Sequence, residues 1–380
     1  MTEPRSSDAP PVGNSRLDVL IVTQPVDGGV AACAQQLIKA AVAASHRVMV
    51  VSPSEATASF ALEATRSGAR HVTLLDHERK PQLRDIRAVL AVRRLMSEND
   101  IVHLHSSKAG AVGRLAAVSL GRKRPPVVFT PHAWSWLVGG RAAMLYRAIE
   151  RILARACDVI VAVSASEAAE AGRVLKGASR KMIVIENGVD RERFSPDGPQ
   201  ARRDTAPLIV CVGRLTRQKG QDVALRAVAA MRTQHVRIRF VGGGDNEQFV
   251  TLARTLGIVD RVEWAGPIAD VASQYRAADV FLASSRWEGM PLVLLEAMAC
   301  GTAIVTTQVH GVEALGDAGV LVPPEDHEAI ARALDALCDE PTRRRDLGRE
   351  ARIRSEAYGV ERSTASNLEM WDRLAAGDRR

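Results

Sequence analysis

Aromatic residues are scarce: six Phe, five Trp and three Tyr make up only 4% of the 380 residues. A nucleic-acid surface of stacked aromatics interleaved with basic residues has little material here, and no such interleaving is visible. Cysteine is equally sparse. Cys33, Cys157, Cys211, Cys300 and Cys338 are odd in number, and none stands in a CxxC pair. That argues against a disulfide framework or structural zinc and fits reduced thiols in the cytoplasm. No uninterrupted apolar run of about 18 residues occurs, so no membrane span is expected. The first sixteen residues, MTEPRSSDAPPVGNSR, lack the apolar core of a signal peptide and are read as a disordered leader. GxGxxG is also missing after the first apolar run, which disfavours a dinucleotide cofactor.

What is present is a globular composition, 46% hydrophobic and 25% charged, with a formal net charge of +7. The basic balance fits an anionic ligand, nucleic acid or an acidic membrane surface, and does not choose among them. Apolar, β-branched runs alternate with helix-period segments. Strands are expected at residues 17–24, 46–52, 70–75, 100–105, 127–130 and 158–163, with helices at about 30–44 and 82–97. The segment 186–206, ENGVDRERFSPDGPQARRDTAP, breaks the alternation with Gly, Pro and charge. It restarts with strands at 208–212, 236–241, 262–264, 280–283 and 303–306, and residues 341–376 read as helical. Such alternation specifies parallel sheets with helices on both faces. The expected architecture is therefore α/β, with two doubly wound, Rossmann-like domains facing across a cleft. The boundaries drawn are 1–16 leader, 17–188 first domain, 189–356 second domain and 357–380 a C-terminal helix. Ligands of open α/β sheets bind at the carboxyl ends of the strands, so loops after strands should carry the chemistry.

Four such loops stand out. Glu288-Gly289-Met290-Pro291-Leu292 precedes a helix containing Glu296. Pro291 suits a first helical turn. Gly289 permits close backbone approach, and amides of Gly289, Met290 and Leu292 can meet hydroxyls or phosphate with the helix dipole behind them. Two carboxylates eight positions apart suit a polyol. Gly213-Arg214 and, five residues on, Lys219 follow the first strand of the second half, where paired cations could stabilise a departing diphosphate. His132 follows the strand 127–130. Gly28-Gly29 between the first strand and its helix forms a backbone nest for an anion or sugar. A weaker feature is Gly243, in a Gly-Gly-Gly turn after 236–241, read first as structural and second as a neighbour of a bound nucleotide.

These motifs resemble glycosyltransferase family four, the retaining GT-B transferases, over nearly the whole chain from residue 17. The resemblance implies that Glu288 faces the donor sugar and Glu296 binds ribose hydroxyls. It implies that Arg214 and Lys219 clamp the diphosphate, that Gly28 and Gly29 approach the donor phosphate, and that backbone near Ile268 reads the base. His132 would reach the sugar or the transferred hydroxyl. Ala133 departs from the Gly or Asp usual after that histidine. The implied reaction is front-face displacement by a hexosyltransferase: a hexose or N-acetylhexosamine moves from a nucleotide-sugar, UDP-sugar favoured, to a hydroxyl acceptor, with no metal and no further cofactor.

The acceptor expected is a polyprenyl-linked saccharide in polysaccharide assembly. A small secondary metabolite such as an aminocyclitol is the alternative. A GT-B epimerase or hydrolase and a non-catalytic nucleotide-sugar-binding module are the rivals. Lys108, in HSSKAG, is an acceptor-side candidate by resemblance. Trp134, Trp136, Leu145 and neighbouring arginines suit peripheral association with an acidic membrane surface, although packing of an amphipathic helix explains them equally. His103 and His105 alternate on one strand without a third metal ligand at a clear spacing.

Overall fold

The computed structural model describes residues 16–53, 58–75, 82–201 and 205–378, so most of the leader lies outside the described residues. The first lobe runs β1 (Asp18–Thr23), α1 (Gly28–Ala43), β2 (Arg47–Pro53), α2 (Ala58–Arg66), β3 (Arg70–Leu75), α3 (Asp85–Met96) and β4 (Ile101–His105). It continues α4 (Ser107–Leu120), β5 (Val127–Thr130), α5 (Gly140–Leu153), β6 (Val159–Ala162), α6 (Ala165–Val174) and β7 (Met182–Val184). The second lobe runs β8 (Leu208–Val212), α7 (Gln221–Ala230), β9 (Arg237–Val241), α8 (Glu247–Thr255), β10 (Val262–Gly266), α9 (Val271–Ala277) and β11 (Val280–Ala283). Then come α10 (Leu292–Ala299), β12 (Ala303–Thr307), β13 (Val320–Val322), α11 (His327–Asp339), α12 (Pro341–Arg354) and α13 (Val360–Ala375).

The strands form two sheets, ordered β3-β2-β1-β4-β5-β6-β7 and β10-β9-β8-β11-β12-β13, with every pairing parallel. Central strands are buried on both faces, as Val19, Leu20, Ile21 and Val22 show with no exposed surface, which is why they read as unbroken apolar runs. The strand order reverses between β1 and β4, and again between β8 and β11. At such switch points the loops diverge and leave a crevice. Gly28, Arg214 and Glu288 follow strands at these two points, and His105 ends one.

The edge strands β7 and β13 have three residues each, too few to impose a readable period. The stretch from residue 341 is not one helix. α12 gives way at Ser355–Tyr358 to a tighter turn, and α13 starts after Gly359. This break lets the chain cross back to the first lobe. It is stitched to the first crossing: Val189 N–H donates to Tyr358 O at 2.8 Å, and Val360 N–H to Val189 O at 3.1 Å. A Cβ on Gly188 would lie 2.5 Å from Val360 Cα, so only glycine lets the two crossings touch.

α13 then lays Trp371, Met370 and Leu374 on the first lobe, in one cluster with Ile21, Ala34, Ile38 and Val128. Trp371 is fully buried, and its Nε1–H donates to His103 Nδ1 at 3.3 Å. Trp371→Ala should therefore destabilise the first lobe by about 3–5 kcal/mol. Urea unfolding followed separately for each lobe checks this, with the loss confined to the first-lobe transition.

Candidate functional site

Three residues of the second lobe converge on one carboxylate. The turn after β8 places Lys219 Nζ 2.6 Å from Glu288 Oε1. Ser285 Oγ donates to the same oxygen at 2.7 Å, and Gln218 Nε2 to Oε2 at 3.3 Å. The turn can pass so close to the loop after β11 because Gly220 has φ +67°, and a Cβ there would sit 2.1 Å from Ser284 O. Gly213, with φ +149°, packs its bare Cα face on the Lys219 stem. Arg214 is only partly covered and reaches Asp27 of the first lobe at 3.5 Å. The Gly28 nest, with φ +68°, lies beside the Arg214 guanidinium, 3.7 Å from where a Cβ would be. Gly29 is the second residue of α1 and faces Leu292. Gly243 accepts from Leu215 N–H at 2.8 Å, tying the glycine turn after β9 to the Arg214 loop.

Pro291 caps α10 from just outside, with Leu292 as its first residue. One turn on, Glu296 accepts from Tyr275 Oη at 2.7 Å. Burial raises the Glu296 carboxyl, while Tyr275, Arg193 and Lys219 pull it back. Ile268 packs its side chain against the cluster of Leu208, Val210, Val241 and Ala277, so its backbone is what it can offer a ligand.

The first lobe contributes a tight turn. His132 and Ala133 both take left-handed backbone, φ +53° and +91°, a conformation disfavoured for side chains with a Cβ. One buried carboxylate holds it. Glu167 Oε1 accepts from Ala133 N–H at 2.8 Å, and Oε2 from Val163 N–H at 2.7 Å. Ser164 caps α6 by accepting from Glu167 N–H. Burial pushes the Glu167 carboxyl up to about 7, against the pull of those two N–H donors.

Behind the turn stand three imidazoles. His105 Nδ1 lies 3.0 Å from His132 Nε2, and His103 Nε2 lies 2.8 Å from Thr130 Oγ1. Both ring nitrogens of His103 are thus engaged, with Trp371 and Thr130, which fixes its proton on Nε2. His105 Nε2 is buried with no protein partner among the described residues. A buried acceptor without a donor is tolerated better than an orphaned N–H, so His105 carries its proton on Nδ1 and donates it to His132 Nε2. His132 then keeps its own proton on Nδ1. Burial drives all three rings towards the neutral form, His132 to about 4, His103 to about 3 and His105 well below its usual value.

The two halves meet at the Gly289–Met290 loop. Ser164 Oγ donates to Gly289 O at 2.8 Å, and Asn187 Nδ2 to Met290 O at 2.9 Å. A Cβ on Gly289 would stand 2.7 Å from Ala133 N and 3.0 Å from Glu167 Oε1. Ser166 adds a second crossing by donating to Glu313 and accepting from Gly311 N–H, each at 3.0 Å. The structure thus gathers His132, Arg214, Lys219, Glu288, the Gly28–Gly29 nest and the Gly289–Leu292 loop between the lobes.

It differs from expectation elsewhere. Lys108 is paired with Asp85 at 2.9 Å and is nearly covered. Trp134 and Trp136 are buried and stacked 4.5 Å apart in the core, so neither offers a ring to a membrane. Glu167, Ser164, Tyr275 and Asn187 were not singled out by sequence reasoning. Ser164-Ala165-Ser166-Glu167 does carry the S-x-x-E spacing of a helix start, but its carboxylate reaches the neighbouring loop.

Residues 27–193 match the family model described as Glycosyltransferase Family 4, and residues 206–340 that of Glycosyl transferases group 1. The chain is 32% identical over 316 residues to D-inositol 3-phosphate glycosyltransferase 1 of Catenulispora acidiphila, covering 75% of each. It is 32% identical over 303 residues to the D-inositol 3-phosphate glycosyltransferase of Streptomyces scabiei, covering 72% of this chain and 67% of that one. Among solved structures, sucrose-phosphate synthase of Thermosynechococcus elongatus superposes with a TM-score of 0.81 at 21% identity, over 95% of this chain and all of that one. HepE of Anabaena, in complex with UDP-glucose, gives 0.79 at 19% identity over 93% of this chain and 99% of that one. Both share the GT-B fold seen here.

Two predictions follow from the geometry. His132 should stay neutral at pH 5, where a free imidazole of pKa about 6.5 is almost wholly protonated. Its proton should sit on Nδ1; a ¹⁵N-edited NMR titration reads both, and titration near pH 6.5 would contradict the assignment. Gly289→Ala should force the loop away from backbone that cannot yield, lowering turnover at least about 100-fold with little loss of thermal stability in the isolated lobes' transitions, as kinetics and calorimetry would show.

Proposed function

The chain belongs to the family 4 glycosyltransferases, and on that footing we propose that it moves a hexose or N-acetylhexosamine from UDP, with retention, to a hydroxyl of a polyprenyl-linked saccharide. The observation that carries the donor half is the meeting of Lys219, Arg214 and Glu288 with the His132 turn in one interlobe cleft. Lys219 and Glu288 neutralise each other across 2.6 Å. A diphosphate arriving beside Lys219 would compete for its ammonium and free Glu288 to accept from sugar hydroxyls. Arg214 is the second cation, already bridging the lobes, and negative charge growing on the leaving phosphate would be met by both.

His132, neutral and protonated at Nδ1, is a hydrogen-bond donor to a sugar oxygen and a poor general base. Deprotonation of the acceptor is therefore assigned to the departing phosphate oxygen, which is the front-face route to retention. Glu296 fits ribose hydroxyls: Tyr275 occupies one of its oxygens and leaves the other as an acceptor. The amides of Met290 and Leu292, at the head of α10, and the Gly28–Gly29 nest would receive phosphate or hydroxyl oxygens. The HepE neighbour's complex with UDP-glucose supports a UDP-sugar as donor. The whole charge inventory is supplied by side chains, and we propose that no metal or further cofactor takes part.

The outward face of the helix after His132, with Met144, Leu145 and Ile152 largely exposed, supports an acceptor held in a membrane. A second reading has its own support. The curated relatives are named for D-inositol 3-phosphate, which favours a small phosphorylated cyclitol as acceptor.

A panel of UDP- and GDP-sugars offered with a polyprenyl-diphosphate saccharide or with a cyclitol phosphate distinguishes these. Transfer from a UDP-sugar to the lipid-linked acceptor is expected, and transfer only to the cyclitol would replace that half of the reading. Release of free sugar alone would point to a hydrolase. Lys219→Ala should lower kcat/KM by about 100- to 1,000-fold and chelator should leave it unchanged; an unaffected Lys219→Ala enzyme removes the clamp.

A further inference from the structure

The helices α3, α4 and α5 cover one face of the first sheet, and their outer surface should be polar in an isolated globular protein. It is not. Of sixteen large hydrophobic side chains exposed among the described residues, ten lie between Leu83 and Ile152, while the second lobe has three. Each helix buries the opposite side. α5 packs Ala143 and Leu153 inward and leaves Met144, Leu145 and Ile152 between 61% and 69% exposed. On α4, Ala109, Val112 and Ala116 face the core while Leu115 and Val118 face out. On α3, Ala88, Val92 and Met96 face in while Ile86 and Leu90, with Leu83 just before the helix, face out. α4 is tied to α5 by the buried Arg114–Glu150 pair at 2.6 Å and to α3 by Lys108–Asp85 at 2.9 Å.

The exposed charges on this layer are predominantly positive. Between residues 82 and 156 nine Arg and Lys side chains are exposed, against two exposed acids, Glu98 and Asp100. Arg84 and Arg87 flank the α3 apolar row, Arg122 and Lys123 follow α4, and Arg141 and Arg151 flank the α5 row. The other two acids of the segment are occupied, Asp85 by Lys108 and Glu150 by Arg114.

We propose that the outer face of α3, α4 and α5 docks the first lobe on an anionic lipid bilayer. Apolar side chains would enter the acyl boundary while the arginines meet headgroup phosphates. A second copy of this chain is a poorer occupant, since a two-fold interface would set this cationic layer against itself. The docking shares the exposed α5 face with the reading of a membrane-held acceptor but does not require transfer to occur. It would bring the interlobe cleft to hydroxyl-bearing lipids.

The test uses the full chain and vesicles of phosphatidylcholine with and without phosphatidylglycerol, in co-sedimentation at low and high salt. Binding to the anionic vesicles, weakened by salt and at least about ten-fold lower to neutral ones, is expected. Each exposed cation near the surface contributes about five-fold, so Arg122→Glu with Lys123→Glu should weaken binding at least about ten-fold. Leu145→Glu with Ile152→Glu should do the same with an unchanged melting temperature. No binding to anionic vesicles at low salt, or binding that ignores both double variants, overturns the proposal. A wild-type dimer in gel filtration that Leu145→Glu with Ile152→Glu dissociates would overturn it in favour of self-association.

Discussion

The contact of Gly289 with the His132–Ala133 turn is the constraint on which the rest of the site depends. The turn takes two consecutive left-handed residues, neither of them glycine, a conformation of low intrinsic stability. Glu167 stabilises it by accepting the Ala133 amide, and that same oxygen borders the space Gly289 leaves empty. Strain, buried carboxylate and bare glycine therefore form a single arrangement. Place a methyl on Gly289, or remove the carboxylate, and the first lobe loses its hold on the loop that carries Glu288.

That arrangement also accounts for how two independent sheets produce one cleft. Each sheet opens a crevice at its own switch point, but a crevice alone holds no charge pattern. The first lobe brings neutral imidazoles and backbone; the second brings Lys219, Arg214 and two carboxylates. Burial keeps the imidazoles uncharged, so the cations of the second lobe face no competing positive charge from the first. The division suits a ligand with an anionic end and a polyol end. The paired crossings at Val189 and Gly359, and the return of α13 onto the first lobe, tie the lobes together away from the cleft.

Much of this was legible in the chain. β5, β8 and β11 lie where their apolar runs place them, because buried parallel strands need no alternation to be recognised and their ends are marked by Gly, Pro or Asp. Of the residues that the Glu288–Glu296 and Arg214–Lys219 spacings singled out, Lys219 and Glu288 pair directly, while Arg214 pairs with Asp27 and Glu296 with Tyr275. The three-residue edge strands escaped because they are too short to show a period. Glu167 escaped because its partners, Val163 and Ala133, are backbone groups, which sequence does not distinguish. His103 and His105 were visible as a pair, yet only the fold shows that Thr130, Trp371 and His132 are their partners. Trp134 and Trp136 suited either a membrane surface beside arginines or ordinary packing, and the fold decides for packing. They are core residues, while the exposed apolar surface comes from aliphatic side chains on three separate helices, a pattern no single window of sequence contains.

The central claim, that both lobes grip one nucleotide-sugar, is tested most directly by amide hydrogen exchange of the intact protein with and without saturating UDP-sugar. Added protection is predicted in three segments together: the turn at 130–134, the loop at 213–220 and the stretch at 286–297. Protection confined to the second lobe, with the His132 turn exchanging as it does alone, would contradict it.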